Sequence, residues 1–203
     1  MYKENKTLMS EALDALEGRW GITIGTCLVF ILIQSIFRFI PYLGFIIIII
    51  IRGPLSIGLN RFLLSISRRQ EAEIGMLFSE FNNFKRAFLA YLLLIVYILL
   101  YTLLLIVPGI IKAYSLSQTF FILADNPSIG YNEALKSSER MMQGNKLRYF
   151  YLHCRFIGWI LLSLLTLGIG LIWLIPYIRI SIAGFYDDLK ENTIIDQPFT
   201  ENL

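Results

Sequence analysis

Three basic residues lie where a chain this apolar has few polar neighbours to offer them. Arg52, Lys112 and Arg179 each fall inside a long hydrophobic stretch, and each is followed closely by serine: Arg52-Gly-Pro-Leu-Ser56, Lys112-Ala-Tyr-Ser115 and Arg179-Ile-Ser181. A basic side chain at mid-bilayer costs about 2.5–3.5 kcal/mol on insertion scales, and such groups usually face a cavity or a partner. No Asp or Glu falls inside these stretches; the nearest acids, Asp125, Asp187 and Asp188, stand at their ends. The cations therefore call for backbone carbonyls, water or an external anion. Arg52, Lys112, Arg179, Ser56, Ser115 and Ser181 form the candidate set for binding an anion or a lipid headgroup. The plainer alternative is that the long side chains snorkel to the interface.

Catalysis has little to stand on. His153 is the only histidine, which excludes a metal site built on several imidazoles. Its neighbour Cys154 points to a different helix face, so the two do not make a thiol–imidazole pair. Cys27 and Cys154 lie far apart in or beside apolar stretches, with no C-x-x-C, so a disulfide framework is not expected. Gly53-Pro54-Leu55-Ser56-Ile57-Gly58 is not a nucleophile elbow, because Pro54 replaces the first glycine; Gly and Ser there suit close helix approach. Zinc-protease, phosphate-loop and dinucleotide fingerprints are absent. The expectation is no catalytic residue, no metal and no cofactor.

The elements that must hold the six residues follow from composition. The chain has 203 residues, 56% hydrophobic and 16% charged, with a mean hydropathy of +0.63. A soluble domain carries about 25% charged residues, and one of this length has too little interior to hide so much apolar surface. An all-α, polytopic membrane protein is expected. A span needs about 20 apolar residues. Trp20 to Ile40 is the first candidate, ending at Arg38 and Pro41; the second runs from Leu43 through the isoleucine tract and Gly53-Pro54 to Ser65. The stretch from Phe88 to Leu123 is broken by Pro108-Gly109, and that from Tyr149 to Tyr186 by residues 166–170, so each reads as a hairpin. The count is six, with four or five as the alternative. Arg52 would then lie about 13 Å deep in the second span, at 1.5 Å per residue.

The intervals between spans are amphipathic. Met9, Leu13, Leu16 and Trp20 recur at helical spacing, as do Ile74, Leu77, Phe78, Phe81, Phe84 and Phe88; Leu135, Met141 and Met142 do so more weakly. These read as helices lying in the membrane interface. One membrane domain, residues 1–203, then divides into three units of interfacial helix plus hairpin: 1–66, 67–125 and 126–189, followed by a short tail, 190–203. Arg19-Trp20, Lys85-Arg86-Ala87-Phe88 and Lys146-Leu147-Arg148-Tyr149 open the hairpins alike. Arg61, Arg68, Arg69, Lys136, Arg140, Arg155 and Lys190 fall on the same side as these entries, against Arg38 and Lys112 opposite. Cytoplasmic loops carry the excess of Lys and Arg, so both termini are expected in the cytoplasm. The acids among the first nineteen residues, and the lack of a cleavage site, argue against a signal peptide.

Several strings together resemble a known family: Gly53-Pro-Leu-Ser-Ile-Gly58, the aromatics of Phe78–Phe84, Ile106-Val-Pro-Gly-Ile-Ile-Lys112, Ile122-Leu-Ala-Asp-Asn-Pro127 and Gly184-Phe-Tyr-Asp187. The resemblance, from about Leu8 to Leu189, is to a bacterial integral-membrane family catalogued as domain of unknown function 975. It implies a polytopic protein of the bacterial cytoplasmic membrane and carries over no activity or residue role.

The sequence thus points to a non-enzymatic membrane protein that binds, or moves between leaflets, a lipid or other anionic or zwitterionic amphiphile through a basic intramembrane pocket. The competing classes are an accessory subunit packed against other membrane proteins and a small-solute transporter. Membrane lipids are the expected partners, and nucleic acid is not.

Overall fold

The computed structural model describes residues 2–37 and 43–193, with the side chains of Leu43 and Phe45 left aside. Arg38, Pro41 and the tail from 194 lie outside the described residues. No strand occurs among the described residues. The helices are α1 (Asn5–Leu16), α2 (Trp20–Ile36), α3 (Leu43–Ser67), a 3₁₀ segment (Ile74–Asn83), α4 (Phe84–Leu104), α5 (Ile106–Ser115), α6 (Thr119–Asp125), α7 (Tyr131–Met141), α8 (Lys146–Leu165) and α9 (Leu171–Asn192).

Among the described residues, three stretches are helical, long and apolar enough to cross a membrane: Ile46–Ser67, Ile74–Leu104 and Ile106–Asp125. A fourth is added if α1 and α2, which meet at a bend of 101°, count as one broken span. This is fewer than the six expected. α8 carries Lys146, Arg148, His153 and Arg155 in its first half, and α9 carries Arg179, Asp187, Asp188 and Lys190, so both are less apolar.

The core gathers where α3 and α9 meet α1, α6 and α8. Phe62, Phe156, Phe185, Leu8, Leu16 and Leu123 are fully buried there. α1 turns Leu8, Ala12, Ala15 and Leu16 inward and leaves Leu13 exposed. Its buried face is therefore offset from the stripe Met9, Leu13, Leu16 that spacing suggests, because α9 packs along it. The Gly53–Gly58 string is a packing surface. A Cβ at Gly53 would meet the backbone of Ala87 in α4, and one at Gly58 the backbone of Leu77. That second approach accounts for a departure from expectation at Ile74–Asn83. The segment is a 3₁₀ helix, whose three-residue repeat stacks Leu77 and Glu80 on the side of α3. Phe78 and Phe81, also three apart, stay exposed with ring centroids 6.1 Å apart.

Two hairpins carry bare apolar tips. Leu103 is 82% exposed at the α4–α5 turn, and Leu167 95% exposed at the α8–α9 turn. Contiguous apolar surface of this kind is costly in water and marks contact with lipid or protein.

Candidate functional site

The charged residues at one end of the bundle are committed to one another. Arg68, at the end of α3, donates to Asp125 at 2.5 Å and to Asp187 at 2.7 Å. Asp125 also accepts from the Tyr186 hydroxyl at 3.0 Å and from Lys190 at 2.8 Å. The ends of α3, α6 and α9 are thereby tied through one carboxylate. Burial alone would lower the Arg68 guanidinium, but its hydrogen bonds to Asp125 and Asp187 outweigh that and hold it above its ordinary value. Burial pushes the Asp187 carboxyl up, and Arg68 only partly offsets it. Beside this hub, Asp188 accepts from Arg148 of α8 and from the Lys3 backbone N–H at 2.9 Å. Arg61 donates to Glu80 and Ser79, and Arg86 to the carbonyls of Leu123, Asn126 and Pro127. Residues set aside from the spans as loop charges are thus the ionic closure of the bundle.

The six candidate residues do not form one site. Arg52 is exposed, its guanidinium 5.9 Å from the centroid of Tyr91 in α4. Arg179 is also exposed, and acts electrostatically on Cys27 of α2 and Tyr149 of α8. The two arginines share no partner among the described residues. Ser56 is half-buried, and the Ser181 hydroxyl donates to its own helix at Tyr177, 2.9 Å away. His153 likewise donates from Nδ1 to the Tyr149 carbonyl at 2.9 Å, among the rings of Tyr149 and Tyr114.

Lys112 and Ser115 are brought together, and with residues that were not anticipated. An open cleft of about 560 Å³ is lined by Tyr101, Pro108, Ile111, Lys112 and Ser115 on one side and Lys136, Glu139, Arg140, Gln143 and Lys146 on the other. The α5 wall is Pro108, Ile111, Lys112 and Ser115; the α7 wall begins at Lys136, continues through Glu139 and Arg140, and reaches Gln143 just past the helix end. Both follow the spacing i, i+3, i+4, i+7, the pattern of one helix face. α7 buries Leu135, Ser138 and Met141 on its other side. That apolar spacing was legible; the charged stripe opposite it was the missed signal.

Lys112 is not without an acid, as the apolar context suggested. It pairs with Glu139, and its ammonium lies 5.1 and 5.0 Å from the ring centroids of Tyr97 and Tyr101. The reason is that α7 packs against α4 and α6 instead of lying apart from them. Its Ser138 also closes a break in the chain between α5 and α6. The Ser138 hydroxyl donates to the Ser115 carbonyl at 2.8 Å and accepts from the Gln118 N–H at 3.2 Å. Irregular backbone at membrane depth is tolerated where protein or a cavity satisfies it, and here a cavity adjoins it.

Cleft, break and ionic hub are built almost wholly from the second half of the chain. That half carries the family relation. Residues 101–193 match the model of a protein family of unknown function, DUF975. It is the family that the chain's strings resemble. The DUF975 stretch takes in all ten residues lining the cleft, from Tyr101 to Lys146, together with Asp125, Asp187 and Lys190 of the hub. No curated protein and no solved structure matches the chain.

Proposed function

We propose that this is a non-enzymatic protein of the bacterial cytoplasmic membrane that holds an anionic amphiphile in the cleft between α5 and α7. The headgroup meets Lys112, Lys136, Arg140 and Lys146, and the chains lie along the bare apolar tip of the α4–α5 hairpin. The observation that supports this reading is the meeting of those four cations in one cleft with Pro108, which directly follows the exposed run from Leu103 to Val107. A zwitterionic headgroup fits less well, because the one carboxylate lining the cleft, Glu139, is already engaged by Lys112.

The same reading takes the ionic end of the bundle as cytoplasmic, with both termini there and six crossings in three units. The 101° bend between α1 and α2 suits an interfacial helix leading into a span. A further parallel suits a repeat: Gly109 packs on Thr102 and Gly170 on Ser163, each glycine seven residues after a hydroxyl side chain near a hairpin tip. A second reading, a subunit that packs on other membrane proteins, draws on the outward Arg52 and Arg179 and the exposed Phe78 and Phe81.

Native mass spectrometry of gently solubilised protein separates the two. The expected result is retained anionic lipid, lost in the double variant Lys136→Glu/Lys146→Glu and kept in Arg52→Leu/Arg179→Leu. A lipid-free wild-type protein that instead carries a partner chain would favour the subunit reading.

A further inference from the structure

Resting on that reading, we propose that Glu139 holds the place of the ligand. Its carboxylate sits where the headgroup anion meets Lys112, and binding is an exchange of one anion for the other. Glu139 is thereby the residue that sets the affinity of the cleft.

The pair crosses the site. Lys112 belongs to α5 and Glu139 to α7, and both line the cleft, so their contact runs from one wall to the other. Its two members are unequally held. The Lys112 side chain is 15% exposed, and its ammonium lies 5.1 and 5.0 Å from the ring centroids of Tyr97 and Tyr101 in α4. Ring faces attract a cation whichever anion accompanies it, so the ammonium stays in place when its partner changes. The Glu139 side chain is 41% exposed. Lys136 stands three residues back on α7 and lines the same cleft, within reach of the carboxylate. A part-exposed ion pair contributes little, because water competes for both groups. An arriving anion can therefore turn Glu139 out toward water and Lys136 and take over Lys112. A phosphate seated there has a second oxygen to offer Lys136 or Lys146, which have no hydrogen bond or ion pair among the described residues. Until then, the carboxylate lowers the affinity of the cleft by the fraction of time it occupies Lys112.

The test is retention of dioleoyl phosphatidylglycerol by the full chain in mixed micelles, with inorganic phosphate as the soluble anion. Glu139→Gln should bind the lipid about three- to fivefold tighter than wild type, the factor that releasing a part-exposed pair allows. Glu139→Asp, which keeps the charge and withdraws it by one methylene, should shift affinity the same way by less. The gain should vanish in Lys112→Gln/Glu139→Gln, which should match Lys112→Gln alone, because the cation for which the two anions compete is gone. The thermal midpoint of each variant shows whether it is folded. A gain that persists without Lys112 would overturn the exchange, since it would report only the loss of a negative charge from the cleft. Unchanged or weaker binding in folded Glu139→Gln or Glu139→Asp, with wild type still retaining the lipid, would overturn it as well and leave the amphiphile reading standing. No retention of the lipid by any variant would remove both. A Lys112-dependent gain for phosphate and none for the lipid would leave the exchange and overturn the membrane-borne ligand.

Discussion

The hairpins α4–α5 and α8–α9 begin alike and end differently. Each has a bare apolar tip, and in each a glycine seven residues after Thr or Ser lets the return helix close on the outgoing one. The return leg α9 then runs unbroken from Leu171 to Asn192 and buries Leu174, Ile180, Ala183, Phe185 and Leu189 in the core. Its paired charges come at the end, where Asp187, Asp188 and Lys190 are tied to Arg68, Arg148 and Asp125, while Arg179, partway along, stays exposed. The return leg of the first hairpin stops at Ser115 and resumes at Thr119 as α6, and its charge, Lys112, falls before the break and against a cleft. One plan therefore yields a post in one case and a binding wall in the other. What differs is where along the leg the polar groups fall. At the helix end they meet other helix ends and close the bundle; partway along α5, Lys112 meets a second polar helix, α7, through Glu139.

The ionic ends offer the largest contrast. Asp125→Ala leaves Lys190 and the Tyr186 hydroxyl without their shared acceptor and Arg68 with Asp187 alone. A loss of about 3 kcal/mol is expected, at the low edge for breaking a buried pair because Arg68 is part-exposed. Glu139→Ala removes a pair whose acid is 41% exposed, and about 1 kcal/mol or less is expected. Thermal unfolding in detergent reads both. Equal shifts would mean that the cleft is as structural as the hub, and the contrast would fail.

The hydroxyls of Ser138 in α7 and Ser163 in α8 come next. Ser138→Ala strips the buried break of a donor and an acceptor, and about 1–3 kcal/mol is expected. Ser163→Ala removes only a hydrogen bond within α8, to the Trp159 carbonyl at 2.8 Å; little change is expected, since such back-bonding does not stabilise a helix. A similar cost for both would show that the break is no weaker a point than a continuous helix.

The apolar stretches and hairpin breaks were legible because hydropathy and Pro-Gly act locally. Pro108-Gly109 and residues 166–170 both fall at turns. The Gly53–Gly58 string was legible as packing for the same reason, since small residues serve little else in such a helix. The fate of the intramembrane cations was not. Spacing placed Arg52, Lys112 and Arg179 on matching legs, but their surroundings depend on which helix packs beside each. For Lys112 that helix is α7, twenty-seven residues on. α7 itself was half read: Leu135, Met141 and Met142 announced its buried face, and the face made by Lys136, Glu139 and Arg140 passed for ordinary solvated charge. A charged stripe carries information only once its opposite wall is known.

Lys136 therefore gives the finest test of the comparison. Its side chain is exposed, and no hydrogen bond or ion pair holds it among the described residues. If the cleft is a site and not a part of the scaffold, Lys136→Gln should leave the unfolding midpoint unchanged to within about 0.5 kcal/mol, as at other unconstrained surface positions. The same variant should lower the retention of anionic lipid severalfold, through one lost charge in the cleft. Lys190→Gln makes the complementary control. It removes another exposed lysine, one that belongs to the hub, so it should reduce stability modestly and leave retention alone. Lys190 is held by Asp125, whereas Lys136 lines the cleft with no such partner among the described residues. If their effects proved interchangeable, the division of labour between the hairpins would be lost even with every contact in place.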